Sequence, residues 1–194
     1  MEITIIEGAR GTGKTSVARL VRQRVSEVTL VNPTGFHEDG EKGLQKISDY
    51  YNSWMSYLAG MCIHDSKLLF DRFFFTERVF SEFYKSYNFK PVYFDLLDEL
   101  EELAYMGVKV NLILLTINDE KELSQRLTRD KVAFANVAES VEESMKQQER
   151  YEALFTSMRY RFETSNIKLH TIDTTSKSND HVYTEVVAKL KASQ

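Results

Sequence analysis

Gly8-Ala9-Arg10-Gly11-Thr12-Gly13-Lys14-Thr15 decides how this chain is read, because it fits G-x-x-x-x-G-K-[ST] at every fixed position. Glycines let such a loop curl until successive backbone N–H groups face inward onto phosphate oxygens. A lysine in the place of Lys14 reaches the β- and γ-phosphates of a nucleoside triphosphate, and the hydroxyl of Thr15 can ligate Mg²⁺. The flanks agree. Residues 3–6 form a short apolar strand ended by Glu7-Gly8, and residues 15–25 carry Val17, Leu20, Val21 and Arg24 at helical spacing. A helix starting there adds its positive N-terminal end to the cradle. Gly8, Arg10, Gly11, Thr12, Gly13, Lys14, Thr15 and Ser16 are therefore the expected contacts for ATP, with Thr15 as metal ligand. Arg10 has no fixed role in the motif: contact with phosphate and simple exposure on the loop are equally open.

Outward from the loop, apolar runs at 28–31, 68–70, 108–115 and 167–172 alternate with helical spacing at 43–61, 75–87, 91–106, 119–128, 139–162 and 179–191. Pro91 suits the first turn of its helix, Gly107 its C-terminal end, and Asn118 a cap on the next. The run 108–115 is apolar almost throughout, as a parallel strand covered on both faces should be. Five such strands alternating with helices predict an α/β fold of three layers: a five-stranded parallel sheet with helices on both faces. Right-handed crossovers then leave every strand's carboxyl end on one edge, where ligands bind in sheets of this kind.

The 194 residues suit one domain spanning 1–194, and only 8 Gly and 2 Pro leave no linker. Lys and Arg number 25 against 29 Asp and Glu, and a net charge of −4 argues against general polyanion binding. The single Cys62 can form neither an internal disulfide nor a multi-thiolate metal site, which suggests a reducing compartment. No apolar run approaches the ~18 residues of a membrane span, and the first residues lack the pattern of a secretory signal. The expectation is a cytoplasmic protein without membrane contact.

Chemistry recurs at two other places. The third strand runs into Asp71-Arg72, and a carboxylate at a strand's carboxyl end can hold an acceptor or a metal-bound water beside the phosphate loop. The adjacent guanidinium can grip an oxyanion with two hydrogen bonds. A helix cap for Asp71 and a surface salt bridge for Arg72 are the plainer readings. Arg126 and Arg129, three apart on one helix face, precede Lys131 and a polar stretch. Such a cluster could close as a lid, about 126–138, over a triphosphate, or simply place positive charge at a helix C-terminus. Thr116-Ile117-Asn118-Asp119 is not the Asn-Lys-x-Asp of a GTPase, and no glycine follows Asp71 as in a D-x-x-G switch.

These elements, in this order and over most of the chain, resemble the thymidylate kinase and deoxynucleoside kinase group of P-loop nucleotide kinases, in a phage-type variant. The resemblance rests on Glu7-Gly8 through Thr15, on Asp71-Arg72-Phe73 with Thr76, on Arg126-x-x-Arg129, and on residues 148–155 of the long helix. It implies that Arg72 binds an acceptor 5′-phosphate, that Asp71 lies near acceptor and metal, and that Asp173 and Thr174 lie near the adenine of ATP. It also implies catalytic roles for Lys14, Asp71, Arg72, Arg126 and Arg129. The chain departs from that pattern at Arg10, where these enzymes usually carry an acid. It departs again at Val31-Asn32-Pro33, where they carry Arg-Glu-Pro. Phe36, Tyr50, Trp54 and Phe73, with Arg72, are candidate acceptor contacts, although aromatic residues at helical spacing are more often core. The expected activity is ATP- and Mg²⁺-dependent transfer to a deoxynucleoside monophosphate, with a pyrimidine as base. The alternatives are a hydroxyl kinase acting on a deoxynucleoside or on a hydroxymethylated pyrimidine in DNA, and an ATP-binding regulator without catalysis. Tyr84, Tyr87 and the acidic stretch 95–102 suit either a homodimer contact or an exposed face.

Overall fold

Each of the five apolar runs forms a strand: β1 (Glu2–Glu7), β2 (Val28–Val31), β3 (Lys67–Asp71), β4 (Lys109–Thr116) and β5 (Ile167–Asp173). The computed structural model describes residues 1–33, 35–129, 137–163 and 165–192, without the side chains of 137–139. The strands pair in parallel in the order β2-β3-β1-β4-β5. Chain order runs from β1 outward to β2 and β3 on one side, then to β4 and β5 on the other. The switch at β1 opens a crevice beyond the strands' carboxyl ends.

Alternate side chains of the central strands feed two apolar layers, which is why the runs read as continuously apolar. Ile3, Ile5, Phe70, Leu112 and Leu114 join the core under helices α2 (Gly40–Met61), α3 (Phe74–Tyr84), α4 (Lys90–Tyr105) and α6 (Val137–Arg161). Ile6, Leu69, Ile113, Leu115 and Ile172 join the smaller core under α1 (Lys14–Arg24) and α7 (Asn179–Ala192). Helix α5 (Glu120–Arg129) packs Leu123 and Leu127 against Ile117 and Val141. No helix among the described residues is long and apolar enough to cross a membrane.

Pro91 falls in the first turn of α4 as expected, and Gly107 follows its end at φ 91°. Most other ends shift by one or two residues, and three differences stand out. Helix α2 starts at Gly40 because the Asp39 side chain accepts from its N–H, a polar start with no apolar periodicity to reveal it. Helix α3 stops at Tyr84 rather than 87. The cap of α5 is Asp119, not Asn118: its carboxylate accepts from the N–H groups of Lys121 at 2.8 Å and Glu122 at 3.1 Å. Of the expected lid, Lys131 and the rest of 130–136 lie outside the described residues.

The larger core is dense in rings, with Phe74 and Phe75 stacked at 4.3 Å between centroids and neither exposed. Phe74→Ala should cost about 3–5 kcal/mol of stability, and Phe83→Ala, at a position 42% exposed, under about 1 kcal/mol. Urea unfolding of both variants checks this, and equal losses would contradict the assigned core.

Candidate functional site

The phosphate loop leaves β1 at Gly8, whose φ of 144° and closeness to β4 exclude a side chain. A Cβ there would stand 2.3 Å from the Leu115 carbonyl oxygen. At Gly11, with φ 82°, a Cβ would meet Leu123 Cδ1 at 2.4 Å. Helix α1 follows Gly13 with no side-chain cap and no acid in its first turn. Its first N–H groups and its positive end are left for an anion. The Thr12 hydroxyl and Lys14 Nζ both donate to the Ala9 carbonyl, at 2.9 and 2.5 Å, bracing the loop from within. Burial, and then the Arg72 guanidinium, push the Lys14 ammonium down to about 7.

Register brings a carboxylate to the same edge. Ile6 pairs with Asp71, and the Asp71 Oδ2 accepts from the Thr15 hydroxyl at 2.6 Å. Asp71 Oδ1 is buried and has no hydrogen-bond partner. A hydroxyl and a carboxylate with one unsatisfied oxygen fit Mg²⁺, which takes one or two protein ligands and completes its shell with water and phosphate. No cluster of three or more His, Cys, Asp or Glu side chains suited to a metal occurs among the described residues.

After Asp71 the chain turns through Arg72 in the left-handed region, φ 75°. The buried Glu7 carboxylate accepts from Phe73 N–H at 2.7 Å and from the Thr76 hydroxyl at 2.6 Å. Burial raises its pKa to about 7 against the pull of those bonds. Sequence reasoning passed over Glu7 and Thr76 as working groups. Their roles depend on a contact between positions 66 residues or more apart, with no local signature.

Two cavities open on this edge. One, about 740 Å³, is lined by Arg10, Gly11, Gly13, Lys14, Thr15, Ser16, Arg72, Arg126 and Arg129, and by Lys177 to Asp180 at the start of α7. All the loop residues expected there except Gly8 and Thr12 line it; Gly8 shapes the turn and Thr12 braces it. Asp173 and Thr174, expected near the adenine, are not among the residues that line it. Asp173 Oδ1 accepts from Thr175, and the Thr174 hydroxyl donates to Thr116 O at 2.8 Å. Arg126 is tied down. Its Nε and Nη2 donate to Glu122 Oε1, its Nη2 to Thr174 O, and its Nη1 to Thr174 Oγ1 and Gly11 O. Those five bonds engage all five donors of a guanidinium. Arg126 thus braces the phosphate loop against α5 and the strand-end turn.

The second cavity, about 510 Å³, shares Arg10 and Arg72 with the first and continues along Phe36, Phe73, Thr76, Phe80 and Tyr84. The Lys85 ammonium closes its rim by donating to the carbonyls of Phe36, His37 and Glu38 at 3.1, 3.1 and 2.8 Å. The Tyr84 hydroxyl donates to Glu143 and accepts from Gln147 at 2.7 Å, and the Tyr87 hydroxyl donates to Glu77 at 2.5 Å. Tyr84 lines this cavity while remaining 42% exposed, in line with the exposed face open to it from sequence. Phe36 and Phe73 lie here as expected. Tyr50 and Trp54 do not: with Thr29, Val31 and Tyr57 they line an apolar groove against β2, away from Arg72.

Phosphates filling the first cavity would return Lys14 to its ordinary basicity. At about pH 8 the free protein holds it largely neutral, so nucleotide binding should take up close to one proton. Near pH 6 Lys14 is already charged and this uptake should vanish. Calorimetry with Mg-ATP in buffers of differing ionisation heat measures the uptake, and an uptake that does not grow between those pH values would contradict the assignment.

No family profile and no curated protein matches the sequence. Solved structures do. Thymidylate kinase from Candida albicans superposes at a TM-score of 0.63 with 13% identity, covering 99% of this chain and 93% of that one. Deoxyadenosine kinase from M. mycoides with bound dATP gives 0.58 at 15% identity over 98% and 99%. The Deinococcus radiodurans tunicamycin resistance protein gives 0.53 at 17% identity over 97% and 95%. At such identities the likeness is one of architecture, and the chain has the three-layer α/β fold of P-loop nucleotide and nucleoside kinases.

Proposed function

We propose that the protein is an ATP- and Mg²⁺-dependent kinase whose acceptor is a deoxynucleoside monophosphate carrying a pyrimidine. The observation that carries this reading is the shared wall: Arg10 and Arg72 line both the cavity of the phosphate loop and the aromatic cavity beside it. Two guanidinium groups between donor and acceptor suit an acceptor that is itself anionic at its reacting end. The thymidylate and deoxyadenosine kinases of the same fold support the choice of chemistry.

In this reading an oxygen of the acceptor's 5′-phosphate attacks the γ-phosphorus in line, the bond from that phosphorus to the β,γ-bridging oxygen breaks, and ADP departs. Lys14 and the uncapped N–H groups of α1 hold the β- and γ-phosphates. Arg72 orients the acceptor phosphate and, with Arg129 from α5, offsets the charge spread over the transferred group. Arg126 contributes by keeping the loop rigid, since its donors are engaged. Thr15 and Asp71 would hold Mg²⁺, which when bound screens the phosphate charges. Phe36, Phe80 and Tyr84 offer faces and edges for the base, worth about 1–3 kcal/mol where a ring stacks, while the fully buried Phe73 backs the pocket from the core. A hydroxyl acceptor would need a base; Asp71 is engaged by Thr15 and does not line the acceptor cavity, and the carboxylates that do, Glu77 and Glu143, each accept from a tyrosine hydroxyl.

ATP consumption measured with thymidine, dTMP, dCMP, hydroxymethyl-dUMP and an oligonucleotide containing that base tests the acceptor. Turnover is expected with the monophosphates. Turnover confined to the nucleoside or the oligonucleotide would overturn the phosphate acceptor, and nucleotide binding without any product would leave a regulator. Lys14→Ala should lower kcat at least about 100-fold, and Arg72→Ala should raise acceptor KM about tenfold with Mg-ATP KM little changed.

A further inference from the structure

Helix α3 begins at Phe74 with Phe73 in the capping position, where a phenyl ring has nothing to offer the first N–H groups. The N–H of Phe73 itself and the hydroxyl of the first turn find their acceptor on a strand. Glu7, at the end of β1 and with no solvent exposure, takes Phe73 N–H on Oε1 and the Thr76 hydroxyl on Oε2. Since the Thr76 proton goes to Glu7, the Tyr151 hydroxyl must donate to Thr76 Oγ1, at 2.9 Å, so a directed chain of hydrogen bonds runs from α6 through α3 to β1. Directly before Phe73 stands Arg72, at a positive φ that L-residues avoid and with its own N–H on Ile6 O at 3.0 Å. The turn is therefore pinned on both sides by β1. A buried carboxylate is a costly acceptor for one N–H and one hydroxyl. What the distant carboxylate adds is a fixed relation between the residue preceding the phosphate loop and the arginine facing the acceptor.

We propose that Glu7 is a positioning residue for Arg72: its carboxylate, completed by Thr76 and Tyr151, holds the left-handed turn that presents the guanidinium where the two cavities meet. The effect on the acceptor rests on the phosphate-acceptor reading above; the hold on the turn does not.

Two measurements on Glu7→Gln, Thr76→Val and Thr76→Ser separate these. Hydrogen exchange of the Phe73 amide in the ligand-free protein reads the turn, and steady-state kinetics with Mg-ATP and dTMP reads the acceptor. Glu7→Gln and Thr76→Val should each lower Phe73 protection and raise dTMP KM by about tenfold, with Mg-ATP KM within about twofold of wild type. Thr76→Ser, which keeps the hydroxyl, should keep the Phe73 protection of wild type. If Glu7→Gln fails to fold, the Thr76 pair decides. Unchanged Phe73 protection in the variants that lose a bond would overturn the proposal, as would an equal rise in Mg-ATP KM. A wild-type protein inactive on every monophosphate would sink the acceptor reading alone, while Phe73 protection would still judge the turn.

Discussion

Because β1 is paired on both sides and covered on both faces, the place where it ends is not negotiable. Its register sets Ile6 beside Asp71 and Glu7 beside Leu114. Everything with chemical capacity in this molecule is arranged around that terminus. Gly8 must follow at once because the β4 carbonyl leaves no room for a side chain, and the loop then curls toward α1. Asp71 must finish at the same level, within reach of Thr15. A shift of one residue in either pairing would exchange the faces of the strand and take the carboxylates out of the crevice.

The cations of the site divide their work by how each is held. Lys14 is buried and pushed toward neutrality, a state that a polyphosphate would reverse. Arg126 is saturated by protein acceptors and behaves as a brace. Arg72 is fixed through its backbone rather than its side chain, in a turn gripped from β1. Lys85 stands at the far end of α3 and fastens the aromatic rim by three carbonyls. Four basic residues of similar composition thus do four different things, and the difference lies in their partners.

That difference also marks how far the sequence could be read. The strand 108–115, the phosphate loop and the helix punctuation at Pro91 and Gly107 declare themselves locally, through apolar continuity or a backbone requirement. Five strands and their alternation with helices followed from those signals. The strut at Arg126 did not, since its acceptors include Gly11 and Thr174, 115 and 48 residues away. Nor did the assignment of Phe36 and Phe73 to one cavity and of Tyr50 and Trp54 to another. Helix α2 turns Tyr50 and Trp54 toward a groove that Thr29 of β2 and Leu68 of β3 also line, although the Tyr50 ring touches Phe36 at 5.2 Å between centroids. Spacing along a chain shows which residues share a helix face; only packing shows what that face looks at.

A cradle of amides has a less noticed other half, its carbonyls, and here each one recorded in a bond has a protein donor. Ala9 O receives Thr12 and Lys14, Gly11 O receives Arg126, and Gly13 O receives Val17 N–H at 3.0 Å. With the Ala9, Gly11 and Gly13 carbonyls occupied in this way, the curl has fewer lone pairs left to set against its N–H groups. A preference for anions over cations is then built by main chain and side chains together, since Thr12, Lys14 and Arg126 each cover a carbonyl that would otherwise attract a cation.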